Sequence, residues 1–196
     1  MTATEFLGRT ATGLALSALV SVAGAAPMTY EIDSNHTYPA FTADHMGGLS
    51  KWRGKINGTS GTIVLDKEAG AGSVDLTMDM STIDFGHQGM SDHAKSEDMF
   101  HVEMYPTATF TGELVGFQNG SPTRVDGELT MHGQTHPVSL TINSFKCMQH
   151  PMQGREVCGA DASAEIDRSQ WGIDYGAPMF NMDVGLSISI EALLAE

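Results

Sequence analysis

Positive charge is scarce in this chain. Ten lysines and arginines stand against 24 aspartates and glutamates, for a net charge of −14. A surface of that sign repels phosphate backbones and anionic lipid headgroups, so nucleic acid is excluded as a partner. The ten bases read as scattered, with no basic segment among them. Cysteine is almost absent too: Cys147 and Cys158 flank the Pro- and Gly-bearing stretch "MQHPMQGREV". Two such cysteines in an exported protein are expected to pair. A bridge across so short a loop stabilises by roughly 3 kcal/mol. Their spacing is not that of a thioredoxin-like redox pair, and no ligand set for a metal stands nearby.

Long apolar runs are missing beyond residue 26, so no transmembrane span and no stable membrane insertion is expected. The first 26 residues differ from the rest. Arg9 is their only base, Glu5 partly offsets it, and "ATGLALSALVSVAGAA" follows without charge. Ala23-Gly24-Ala25 fits a small-residue cleavage site. Residues 1–26 therefore read as a secretory signal peptide cleaved near residues 25–26, ahead of one domain over 27–196. An N-terminal membrane anchor is the alternative, and the run is short for a span of about 20 residues. The mature protein is then expected outside the cytoplasm. Catalytic signatures are lacking as well: neither a GxSxG elbow nor an HExxH zinc motif occurs.

What is present is period-two alternation. "SVDLTMDM" sets Val74, Leu76, Met78 and Met80 against Ser73, Asp75, Thr77 and Asp79. "RVDGELTMHG", "HPVSLTIN", "ADASAEID" and "DVGLSISIEA" repeat the pattern, "PTATFTGELV" and "GTIVLDKE" follow it loosely, and "YEID" and "AFTADH" open the series. About eight strands result, separated by the turn signals "NGTSG", "AGAG" and "QNGSP". Each strand is apolar on one face and wet on the other. That excludes a parallel sheet and leaves a sandwich or a closed antiparallel barrel.

One stretch breaks the rhythm. "SDHAKSEDMF" holds helix formers and two serines able to cap, so a short helical insertion is expected near residues 89–104, ending before Pro106. His87, His93 and His101 fall in or beside it at spacings that suit no zinc pair, and adjacent Asp92 and His93 are poorly placed for a base and its orienter. Thirteen methionines raise copper handling, but Met78, Met80 and Met131 sit on apolar faces and read as core or pocket lining, while Met90, Met99 and Met104 are freer. Phe41 and His45 share one face of "AFTADH".

The order of motifs is the more specific signal. "YEIDSNHTYPAFTADHMGGLSKWRG" is followed by "STIDFG", "MSDHAKSEDMFHVEMYPTATFTG", "VDGELTMHGQTHPVSLTI", "IDRSQWGI" and "DVGLSISIEA". Over residues 30 to 192 this order resembles the YceI-like family of exported polyisoprenoid-binding proteins. The resemblance implies an all-β fold, a single antiparallel eight-stranded lipocalin-like barrel, with a tunnel for a long lipid and a helix near its mouth. It implies a binding protein rather than an enzyme. No cofactor is expected beyond a bound isoprenoid, carried, stored or sequestered in the periplasm. Phe41, Leu76, Met78, Phe110, Leu129, Leu140 and Ile188 are then the expected lining, with His45, Trp52 and His93 at the mouth. Ser91-Asp92 stands where the family would place an Arg-Asp pair, which leaves a quinone or neutral lipid open beside a pyrophosphate. Three other readings stay open: a hydrolase-like enzyme using His and Asp residues of the 87–101 segment, a stress-related interaction protein with a filled barrel, and metal handling through Met and His. A homodimer is also left open.

Overall fold

The computed structural model of the chain describes residue 1 and residues 26–196. The signal-peptide reading covers residues 1–26, of which 2–25 lie outside the described residues. Nine strands follow in order: β1 (Met28–Ile32), β2 (Tyr38–His45), β3 (Ser50–Asp66), β4 (Ala71–Asp84), β5 (Thr107–Val115), β6 (Arg124–Met131), β7 (Gln134–Gln149), β8 (Glu156–Asp167) and β9 (Asp183–Leu194). A helix α1 (Gln88–Lys95) leaves β4, and a 3₁₀ turn (Arg168–Trp171) leaves β8.

From β3 to β9 each strand pairs antiparallel with the next. The ring then closes through β1 and β2, which both lie between β3 and β9. Tyr30 faces Ile63 on one side and Leu194 on the other, while Phe41 faces Gly54 and Leu186. β1 and β2 are thus two halves of one stave, and the nine strands make the eight-stranded antiparallel barrel that the motif order implied. Residues 33–37 interrupt the split stave. There the Thr37 hydroxyl accepts from the Glu191 N–H at 3.0 Å and donates to the Glu191 carbonyl at 3.1 Å, replacing a missing rung of the ladder. Thr37 is 0% exposed, so those groups had no water to turn to.

The alternating faces point as their chemistry dictates. Val74, Leu76, Met78 and Met80 are buried along β4, and Val125 and Leu129 along β6. Two expectations need correction. "NGTSG" is not a turn but the middle of β3, where a bulge falls between Ile56 and Gly58 and Gly61 takes φ +136°. A side chain at Gly61 would place Cβ 2.0 Å from the Asp75 carbonyl oxygen, so glycine there serves a bent strand. The helical insertion is shorter than residues 89–104. α1 stops at Lys95, because Ser96 turns extended and bonds the His93 carbonyl with both its N–H and its hydroxyl. Turns run on to Tyr105. β7 also outlasts its sequence pattern, since a bulge between Ile142 and Ser144 shifts the inward positions to Phe145 and Cys147.

Candidate functional site

The inward side chains do not fill this barrel. They leave an upper chamber of about 370 Å³ and a lower one of about 70 Å³. The upper end is where β2, β4, β6 and β8 finish, and α1, the 3₁₀ turn and the 172–182 loop gather there. Small residues keep the chamber open: Ala43, Ala94 and Ala108 stand in its wall where larger side chains would close it. An eight-stranded barrel has room for either outcome, so the filled-barrel reading does not hold.

Seven residues expected to line a site meet in the upper chamber: Phe41, His45, Trp52, Met78, His93, Leu129 and Ile188. Leu76, Phe110 and Leu140 border the lower chamber instead. Among the described residues, Ile188 is the one common to both walls.

Local sequence explains the geometry of the mouth. Phe41 packs edge-on against Phe85 at 5.5 Å between ring centroids. It lies against Gly54 so closely that a Cβ there would sit 2.5 Å from the ring, which makes glycine the residue that admits it. His45 stacks on Trp52 at 4.1 Å and meets Phe180 at 5.3 Å. From the helix, Met90, His93 and Ala94 face the chamber. His93 rests edge-on against Tyr175 at 4.8 Å, with the Asp98 carboxylate 3.9 Å away.

The three histidines of this segment do not converge. His87 caps α1, its Nδ1 accepting from the Met90 N–H. His101 packs on Tyr105. Asp92 accepts from Gln88 at 2.7 Å rather than from His93. Ser91 is buried, accepting from the Phe85 N–H and donating to the His87 carbonyl, which fixes the helix to the end of β4.

Sequence reasoning missed Phe85, Phe100, Tyr175, Phe180 and Arg168, all in the upper wall. Arg168 is a base only 8% exposed. Its guanidinium donates to the Ile173 carbonyl at 2.7 Å and the Tyr175 carbonyl at 2.9 Å. Burial draws its pKa below the ordinary value, and the charges of Asp174 and Asp167 work against that fall. Arg168 thus fastens the loop that carries Tyr175 and Phe180. The aromatic run in "WGIDYGAPMF" was the available signal for this wall.

The opposite end of the barrel is tied by covalent and polar contacts. Cys147 and Cys158, partners across β7 and β8, form the expected disulfide. Close by, the Glu156 carboxylate accepts from Tyr30 Oη at 2.5 Å and from Lys67 Nζ at 2.8 Å. Burial alone would raise the pKa of Glu156. The hydrogen bonds from Lys67 and Tyr30, with the Lys67 charge, outweigh burial and hold it below the ordinary value. Burial and the same carboxylate push the Tyr30 phenol well above its usual range.

The model of a family described as the YceI-like domain matches residues 30–192. A UPF0312 protein of Pseudomonas aeruginosa is 30% identical over 191 residues, covering 95% of this chain and 98% of that protein. Among solved structures, Burkholderia cenocepacia BcnA superposes with a TM-score of 0.67 at 20% identity, over 82% of this chain and 99% of its own. A polyisoprenoid binding domain from Saccharophagus degradans, implicated in plant cell wall breakdown, superposes with a TM-score of 0.61 at 13% identity, over 86% of this chain and 99% of its own.

Proposed function

The chain belongs to the YceI-like family, and from that premise we propose that its barrel is a lipid-binding tunnel, not an active site. The guest is a polyisoprenoid or isoprenoid-quinone lipid. Its tail lies in the upper chamber and reaches past Ile188 toward the lower one. Its head rests among His45, Trp52, His93 and Tyr175. Carriage, storage or sequestration outside the cytoplasm is the task that suits such a protein.

One observation carries this reading: an open chamber of about 370 Å³ walled mostly by Met, Phe, Leu, Ile and Ala side chains, with Asp44, His45, His93 and Arg168 as its polar members. Apolar cavities of this kind stay dry and take apolar guests. Each methylene moved from water into such a wall contributes about 0.8 kcal/mol, so a branched hydrocarbon tail is held without any charge contact. That suits an acidic protein. The name of the Saccharophagus degradans neighbour adds support by analogy of fold.

The test is chemical. Lipid extracted from the purified protein is identified by mass spectrometry, and the stripped protein is then offered prenyl lipids. A copurifying prenyl lipid that rebinds supports the proposal. Lipid-free protein with no affinity for prenyl chains refutes it.

A further inference from the structure

Apolar surface continues beyond the mouth of the upper chamber. Leu49 is 73% exposed, Met179 62% and Met46 48%. These side chains stand on two loops that are locked together. The Asp44 carboxylate accepts from the N–H groups of Gly47 and Gly48 on the β2–β3 turn and, across the gap, from that of Asn181 at 3.0 Å. The exposed tip is therefore a built feature rather than a frayed end. Directly behind it lie Phe180, His45 and Trp52, already in the chamber wall.

A row of cations runs beside the tip. Along β3, Trp52, Gly54 and Ile56 turn inward, so Lys51, Arg53 and Lys55 all point out and are exposed. Three of the chain's ten bases thus stand at alternate positions on one strand, against a net charge of −14. The reading of the bases as scattered fails here: "KWRGK" holds three of them within five residues, and the extended β3 sets all three on one face. None of the three joins an ion pair with a carboxylate among the described residues, whose pairs are Asp33–His36, Lys67–Glu156, His93–Asp98 and Arg124–Asp126. Asp44, opposite Lys51, spends its carboxylate on loop amides. Lys55 lies over the Tyr38 ring at 5.3 Å and faces Asp84 across the ladder.

We propose that this rim docks reversibly on a phospholipid bilayer. Leu49, Met46 and Met179 enter the headgroup region, and Lys51, Arg53 and Lys55 meet lipid phosphates. An exposed apolar patch beside a largely apolar opening marks such a contact. Lys51 and Arg53, which no carboxylate among the described residues bonds, and Lys55, whose charge Asp84 partly offsets, supply attraction that the rest of the surface denies, and they orient the barrel with its mouth toward the membrane. The purpose rests on the lipid-tunnel reading: the guest would pass between bilayer and chamber without crossing water. The docking itself does not depend on that reading.

Co-flotation with vesicles of phosphatidylethanolamine and phosphatidylglycerol tests it. The protein is used with its N-terminus established by mass spectrometry, so that an uncleaved apolar leader is not what binds. Wild type is expected to float with vesicles at low salt and to be released as salt rises. Leu49→Asp with Met179→Asp is expected to lower the bound fraction roughly tenfold or more, equivalent to one apolar anchor lost. Lys51→Glu with Arg53→Glu is expected to abolish the low-salt gain. All four positions lie on the surface, and unchanged melting confirms the fold. Wild type that stays out of the vesicle fraction overturns the proposal and leaves the patch to a protein partner. Variants that float like wild type overturn it as well. Uptake of a water-dispersible short prenyl probe is measured in parallel. Vesicle binding without prenyl uptake sinks the tunnel reading and keeps the docking, and prenyl uptake without vesicle binding does the reverse.

Discussion

Replacing Ile188 with tryptophan puts the tunnel to its sharpest trial, because this side chain borders both chambers. Tryptophan is larger than isoleucine by about 60 Å³. If that volume enters empty apolar space, at about 24 cal/mol per Å³, the unliganded protein gains roughly 1.4 kcal/mol. For a domain of this size that raises Tm by roughly 3–6 °C. A barrel packed solid gives the opposite sign, since overpacking costs about 1–3 kcal/mol. The same change obstructs the route of a long tail. In wild type, ligand at about a hundred times Kd adds roughly 2.7 kcal/mol, a shift of about 5–11 °C. In Ile188→Trp that shift is expected to collapse for long prenyl chains and to survive for a chain short enough to end above residue 188. Scanning calorimetry of delipidated protein, with and without each chain, reads both effects. A variant that melts lower than wild type, yet takes up long chains undiminished, refutes the chambered tunnel.

Three further outcomes are expected. Replacing Cys147 and Cys158 together with alanine opens a loop of sequence separation 11. The loss is about 3 kcal/mol, and Tm falls by roughly 6–12 °C, readable in a thermal melt under non-reducing conditions. Gly61→Ala forces a side chain against the Asp75 carbonyl at φ +136° and is expected to cost at least about 2 kcal/mol, seen as a lower denaturant midpoint with unchanged slope. Glu156 is held below its ordinary value of 4.5, so the stability it contributes is complete above that value and disappears as pH falls through the lower folded-state value. Denaturant midpoints followed from pH 6 to pH 3 should drop more steeply in wild type than in Glu156→Gln. Parallel curves would remove Lys67 and Tyr30 from the account.

How much of this was legible in the sequence depends on what set each side chain's direction. Along β4, β6, β8 and β9 the pleat alone decides it, and alternation placed Met78, Leu129 and Ile188 on the inside correctly. Depth along the barrel axis is a different quantity. It comes from strand register, so nothing in the sequence separates Leu76, Phe110 and Leu140 from Met78 and Leu129 in the expected lining, although the ladder sends those three to the lower chamber. The middle of β3 was misread because a bulge and Gly61 erase the two-residue period. The rest of the upper wall comes from segments with no period at all. Phe85 and Phe100 flank a helix of two turns, and Tyr175 and Phe180 hang on a loop fixed by the buried Arg168. Nothing in local composition announces a base that bonds two carbonyls five and seven residues downstream.

The divided stave also bears on how the molecule comes into being. Its two halves are completed only by β9, whose pairings with Tyr30 and Phe41 span roughly three-quarters of the chain or more. Until Asp183–Leu194 has emerged, β8 and the opening strands carry naked edges, and the oily interior lies open to water. Closure is therefore a late, whole-chain event. A chain delivered in extended form would therefore close its apolar hollow only once Asp183–Leu194 had arrived.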